Sequence, residues 1–177
     1  NNSLGLGEVS ATKATVDFVE SNGFVPEIRT LIAFNTDSHV IPTVRTNGVL
    51  LAQPVLGNGI LKGTSSVMNL DGWNWQDAVV STDNVLHLSW PEHRKSTDEK
   101  RNKEFKERRD ANITELKTLF ARAKAYQPKT GIKDYKLEAI APVLSGEKIL
   151  FAQVSGANDA LEVIKFAQDY GVKKTVL

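Results

Sequence analysis

At 177 residues, 41% of them hydrophobic and 24% charged, the chain has the make-up of one ordinary globular domain with a real core. A net charge of +1 offers no basic excess for a nucleic-acid partner, and the lack of cysteine excludes disulfides, thiolate metal sites and a cysteine nucleophile. No apolar run reaches the ~18 residues of a membrane span and no signal peptide is visible, so a soluble chain without an N-terminal targeting region is expected, its compartment left open.

In chain order, Ser10–Glu20 reads as a short helix or turn burying Val16, Phe18 and Val19. Ile28–Phe34 fits a helix or a strand equally well by periodicity. Over Asp37–Arg45 a helical turn is expected, because Pro42 suits a first turn and Asn47-Gly48 a C-terminal stop. Val49–Val55 is the clearest strand, and it empties into a loop holding Gly57, Gly59 and Gly63, followed by Thr64-Ser65-Ser66. Such a passage sets backbone beside a ligand in many α/β enzymes, since glycine tolerates positive φ and close approach. Asp77–Val80 is a short helical or linking piece.

From Glu92 to Arg109 the chain carries eight Lys/Arg against five Asp/Glu. Ser96-Thr97-Asp98-Glu99 supplies N-cap chemistry, and Phe105, Ile113, Leu116, Phe120 and Ala123 then recur at helical spacing. One long amphipathic helix is predicted over about residues 97–126, either a solvated outer helix or an interaction surface. A second helix spans Lys136–Leu144, with Ser145-Gly146 as its stop, and Lys148–Ser155 is a strand. Asn158–Tyr170 is a helix with an apolar face of Leu161, Ile164, Phe166 and Ala167, ending at Gly171, and Val172–Leu177 begins another strand. The alternation is that of βαβ units in a parallel sheet.

Candidate chemistry is sparse. His39, His87 and His93 have no i, i+2 or i, i+4 partner, so metal-ligand spacing is absent and each reads as a surface or hydrogen-bonded histidine. His87 and Ser89 would share a strand face, but a triad also needs an orienting acid and an oxyanion hole. Lys62 within the glycine-rich stretch does not meet the phosphate-loop spacing. That stretch either lines a pocket with backbone N–H groups or forms a tight turn. Trp73 and Trp75 could stack on a planar substrate, though packing of the loop onto the domain is the favoured reading.

The wording of the chain adds more. The run Asn47–Trp75, with Gly48-Val49-Leu50 and then Gly63-Thr64-Ser65-Ser66-Val67, resembles the imidazolonepropionase-related branch of the amidohydrolase superfamily. Leu4-Gly5-Leu6-Gly7-Glu8 is similar to the residues just after that family's metal-binding His-x-His. Asp134–Glu138 with Pro142-Val143-Leu144 resembles the helix before its fifth barrel strand, and Ile149–Ser155 that strand itself. The resemblance implies a (β/α)8 barrel and hydrolysis of carbon–nitrogen bonds other than peptide bonds, assisted by a divalent metal such as zinc. It also implies that Asn1, Ser3 and Gln153 stand where the family carries metal-ligating histidines.

The expectation is therefore an α/β chain of parallel β/α units, one amidohydrolase-like domain over residues 1–177 forming an incomplete TIM barrel. No catalytic or metal-ligating residue, and no cofactor of its own, is assigned to it. Asn1, Ser3, Gly59, Gly63 and Gln153 are the candidate pocket positions. The partner is a small-molecule substrate if the protein is active, with no nucleic acid and no membrane span. The alternative is a barrel without catalysis that serves as a binding or scaffold protein. As a lone molecule, an opened sheet would need covering by the long charged helix or by a second copy in a homo-oligomer.

Overall fold

The structure, a computed structural model, describes residues 2–8, 12–94, 96–127 and 133–177. The candidate pocket position Asn1, together with Ser10 and Pro128, lies outside the described residues. The chain is a mixed α/β protein of two compact units that divide between His87 and Leu88.

The first unit opens with single 3-10 turns at Lys13–Thr15 and Thr30–Ala33, then α1 (Val40–Thr46), β1 (Leu51–Ala52), β2 (Leu61–Asn69), α2 (Trp75–Ala78) and β3 (Val79–Ser89), whose last two residues belong to the second unit. Helix α1 ends as its sequence predicts: Gly48 adopts φ +85°, its N–H donates to the Arg45 carbonyl (2.9 Å), and the Val49 N–H donates to the Val44 carbonyl (3.3 Å). The 3-10 turn at Thr30–Ala33 resolves the ambiguous Ile28–Phe34 run, which is neither a regular helix nor a strand. In the Ser10–Glu20 region Phe18 is half-buried as expected, but Val19 is 53% exposed.

The strand expected over Val49–Val55 shrinks to Leu51–Ala52, which pairs antiparallel with β2 in the register Leu51↔Asn69 and Ala52↔Met68. Pro54 has no N–H to give a ladder. The nine-residue strand is β2, where a glycine-rich loop had been expected. Gly59 (φ +100°) makes the turn that precedes it, with the Ile60 and Leu61 N–H groups both donating to the Gly23 carbonyl (2.7 and 3.1 Å). Gly63 is inside the strand for another reason. The Ile28 carbonyl lies 2.0 Å from where a Cβ would be, and the Thr64 N–H donates to that carbonyl at 2.8 Å. The β1–β2 pair is antiparallel. Leu31, Phe34, Ile41, Ala52, Met68, Leu70 and Ala78 form a core cluster, with Trp75 packed against it.

The second unit holds α3 (Glu99–Ala125), α4 (Tyr135–Ser145), β4 (Ile149–Gln153), α5 (Ala157–Tyr170) and β5 (Thr175–Val176). Asp98 caps α3 by accepting from the Lys100 N–H (2.9 Å), and Asp134 caps α4 by accepting from the Lys136 and Leu137 N–H groups (3.1 and 3.3 Å). Gly146 and Gly171 end α4 and α5 in the left-handed conformation, at φ +85° and +75°. The predicted βαβ unit is present: β4 and β5 pair in parallel, Leu150 opposite Thr175 and Phe151 opposite Val176.

Only the second half of α3 is buried, through Leu116, Leu119, Phe120 and Ala123, against α4 and α5. The apolar face of α5 is rotated from the expected one. Asp159, Val163, Phe166 and Ala167 are buried, whereas Leu161 and Ile164 are 64% and 42% exposed. The aromatic core sets that rotation. Phe166 packs on Phe120 and Tyr170 at 4.8 Å each and on Trp90 at 5.5 Å between ring centroids. The row 159–163–166–170 at i, i+3 and i+4 spacing follows Phe166 inward. Among the described residues no helix is long and apolar enough to cross a membrane.

Candidate functional site

In the first unit, β2 carries its polar cluster into the interior. Lys62, Thr64, Ser65 and Ser66 are each at most 3% exposed, so each polar group needs a partner. The Thr64 hydroxyl donates to Asp83 Oδ1 at 3.1 Å, and the Ser66 hydroxyl lies 3.4 Å from the same oxygen. Arg29 Nε donates to Asp83 Oδ2 at 2.5 Å. Asp83 sits at φ +45°, a left-handed conformation that aspartate tolerates better than most residues, and its N–H donates to Ser66 Oγ at 2.8 Å. Beside this group, Ser65 Oγ and His87 Nε2 are 2.6 Å apart, and Gln53 Nε2 donates to Ser65 Oγ (2.9 Å) and Asn84 Oδ1 (3.3 Å).

Burial, reinforced by the charge of Lys62, lowers the His87 pKa to about 4. The neutral ring is a hydrogen-bond partner of Ser65. Ser89, two residues along the same strand, sends its hydroxyl to Gln153 Oε1 at 3.4 Å. Ser65 has no exposed surface, so the Ser65–His87 pair locks β2 to β3 and presents no nucleophile to a substrate.

A cleft of about 490 Å³ lies elsewhere in the first unit, lined by residues that include His39, Arg45, Asp71 and Trp73. Trp73 is 91% exposed and Trp75 packs on the core, so only Trp75 follows the expectation of loop anchoring.

In the second unit five side chains converge where the segment after β3 meets the start of α5. Glu162 Oε2 accepts from Trp90 Nε1 at 2.9 Å and from the Arg109 guanidinium. Its other oxygen, Oε1, is 3.3 Å from His93 Nε2, which lies 3.8 Å from Asp159 Oδ1. Burial works against the charge on Glu162, but the bonds from Trp90, Arg109 and His93 outweigh it and hold its carboxyl below the usual range. Asp159 is 4% exposed, and its Oδ1 has no hydrogen-bond donor among the described residues. Arg109 Nη2 lies 3.9 Å from it. Among the described residues this His/Asp/Glu group is the one with donors placed to hold a metal ion.

The sequence-predicted positions do not gather into it. Ser3 gives its carbonyl to the Leu6 N–H in a turn (2.9 Å). Gly59 and Gly63 serve the turn and the close approach described above. Gln153, exposed at the end of β4, accepts through its carbonyl from the Trp90 N–H (2.9 Å). Hydroxyl and amide oxygens at Ser3 and Gln153 do not fit the zinc-type site the family resemblance implies, which needs imidazole or carboxylate donors.

Sequence reasoning missed Trp90, Arg109, Asp159 and Glu162. One signal was present: Asp159 and Glu162 are three apart and so share a helix face. Their third partner, His93, is far from both in sequence and close only in space.

No family model and no curated protein matches the sequence. A solved structure does match: an amidohydrolase from Thermotoga maritima MSB8, with a TM-score of 0.80 at 20% identity over 97% of this chain. The chain spans 48% of the length of that protein. At this identity the likeness is one of fold: the chain has the α/β fold of part of that protein.

Proposed function

We propose that this chain is a portion of an amidohydrolase-like protein, of the imidazolonepropionase-related kind, that hydrolyses carbon–nitrogen bonds other than peptide bonds in a small-molecule substrate. The observation that carries this reading is the match to an amidohydrolase over 97% of the chain at a TM-score of 0.80. The 48% coverage of that protein leaves room for catalytic strands outside these residues. In such a protein a divalent metal would supply a water of lowered pKa, but Ser3 and Gln153 are not donors for it, so the 177 residues by themselves are read as inactive. The test is hydrolysis of a panel of cyclic and acyclic amides with added zinc or manganese. The full-length gene product should turn over at least one substrate, and the 177-residue chain none. Turnover by the isolated chain, or none by a folded, metal-loaded full-length protein, would overturn the proposal.

The neutral side chains at Ser3 and Gln153 favour a second reading, a barrel that has given up catalysis for binding. The charged first half of α3, exposed in most of its residues from Glu99 to Arg108, is then the docking surface. Charge reversal at Lys100, Lys103 and Arg108 should reduce recovery of a partner in a pull-down, and unchanged recovery would count against it.

A further inference from the structure

We infer that His93, Asp159 and Glu162 form a binding site for one divalent zinc-class ion, at positions other than those the family resemblance assigns to metal ligands. Four observations converge on it. First, one imidazole nitrogen and two carboxylate oxygens lie within 4.8 Å of one another. Around an ion with bonds of about 2.0–2.2 Å, neighbouring donors sit roughly 3.0–3.5 Å apart. The His93–Glu162 distance of 3.3 Å already meets that spacing, and the His93–Asp159 distance of 3.8 Å needs only a small contraction.

Second, Asp159 Oδ1 is buried without a hydrogen-bond donor among the described residues and is aimed into this group. A desolvated carboxylate oxygen with no donor is costly, and a coordinated cation is what relieves it. Third, Glu162 is divided between two tasks. Trp90 Nε1 and the Arg109 guanidinium hold Oε2 and fix the carboxylate plane, which leaves Oε1 facing the other two donors. Outer partners of this kind orient metal-ligating carboxylates elsewhere.

Fourth, the charge balance leaves a place for a cation. Among the described residues, two carboxylates face one guanidinium. The His93 side chain is 51% exposed, so an ion can enter from solvent and keep water in its remaining positions. The mixed nitrogen and oxygen donor set suits zinc better than calcium or magnesium, which take all-oxygen shells. The bound ion would tie the segment after β3 to the first turns of α5.

The test is zinc titration of the metal-free chain by calorimetry at about pH 7.5, with thermal melts alongside. One ion per chain should bind, with the melting temperature rising by about 5 °C or more at a hundredfold excess over Kd. His93→Ala, at a half-exposed position, should fold normally and lose at least tenfold in affinity; Asp159→Asn should lose the same binding, and His39→Ala should retain it. Absence of zinc-dependent stabilisation, or binding that His93→Ala and Asp159→Asn leave unchanged, would overturn the inference and leave the group as a polar cluster joining His93 and Arg109 to the two carboxylates.

Discussion

Gly63→Ala offers the sharpest test of how β2 is built. A methyl group at Gly63 would lie 2.0 Å from the Ile28 carbonyl oxygen, 2.7 Å from its carbon and 3.0 Å from the Ile28 Cβ. Ordinary contact begins at 3.4 Å, so the two segments would have to part by about 1.4 Å. That displacement takes the Thr64 N–H out of reach of the Ile28 carbonyl, now at 2.8 Å. It also disturbs the parallel bridge of Arg29 with Thr64 and the contact of the Thr30 hydroxyl with the Thr64 carbonyl (3.1 Å). Two lost hydrogen bonds at about 1 kcal/mol each and overpacking of about 1–3 kcal/mol give a destabilisation of about 3–5 kcal/mol. A domain has only about 5–15 kcal/mol in total. Gly23→Ala is the control, since nothing lies within 4 Å of its added methyl and its φ is not positive; it should stay within about 1 kcal/mol of the parent. Urea unfolding followed by tryptophan fluorescence reads both. Midpoints for the two variants that coincide would refute the account of Gly63 as a site of close backbone approach.

Other perturbations separate the remaining parts of the argument. His87 has a folded pKa of about 4 against an ordinary 6.5, so only the unfolded chain takes up a proton between those values. Stability should be full above about pH 6.5 and fall by at most about 1.4 kcal/mol per pH unit down to about pH 4, less where solvent screens the ring; His87→Gln should flatten that slope in a urea series, and an unchanged slope would exclude His87 as its source. Phe120→Ala removes a fully buried ring packed on Phe166 and Tyr170 and should cost about 3–5 kcal/mol by denaturant unfolding. On α5, Leu161→Lys should change stability by less than about 0.5 kcal/mol and Val163→Ala should cost about 2 kcal/mol; the reverse order would mean that the helix is rotated to the face expected from the sequence.

Elements whose signals are local were legible in the sequence. Helices α3 and α4 begin at Asp98 and Asp134, and α1, α4 and α5 stop at Gly48, Gly146 and Gly171, because caps and left-handed glycines act within one turn of chain. The βαβ unit of β4, α5 and β5 followed from the same local alternation. Strand β2 was not legible, since Lys62-Gly63-Thr64-Ser65-Ser66 has the composition of a loop. What makes it a strand is supplied from far along the chain: the Ile28 carbonyl, Asp83 and His87 take up its backbone and hydroxyl groups. The face of α5 was misread for a related reason. Hydropathy favours burying Leu161 and exposing Asp159, and the rings of Phe120 and Trp90, more than 30 residues away, decide otherwise by packing on Phe166.

The same distinction bears on where chemistry can reside. Ser3 and Gln153 were singled out by their place in a resemblance, yet in the structure their polar groups serve the chain itself: a turn carbonyl at Ser3, and at Gln153 a carbonyl and amide oxygen bonded to Trp90 and Ser89. The second unit's polar centre is the opposite case. His93 is followed by 15 residues before Arg109 and by a full helical hairpin before Asp159 and Glu162, so no spacing rule links them. The fold nonetheless leaves a carboxylate oxygen of Asp159 buried without a donor among the described residues. Folding seldom tolerates that arrangement without something to offset it, and a divalent ion held by His93, Asp159 and Glu162 would do so.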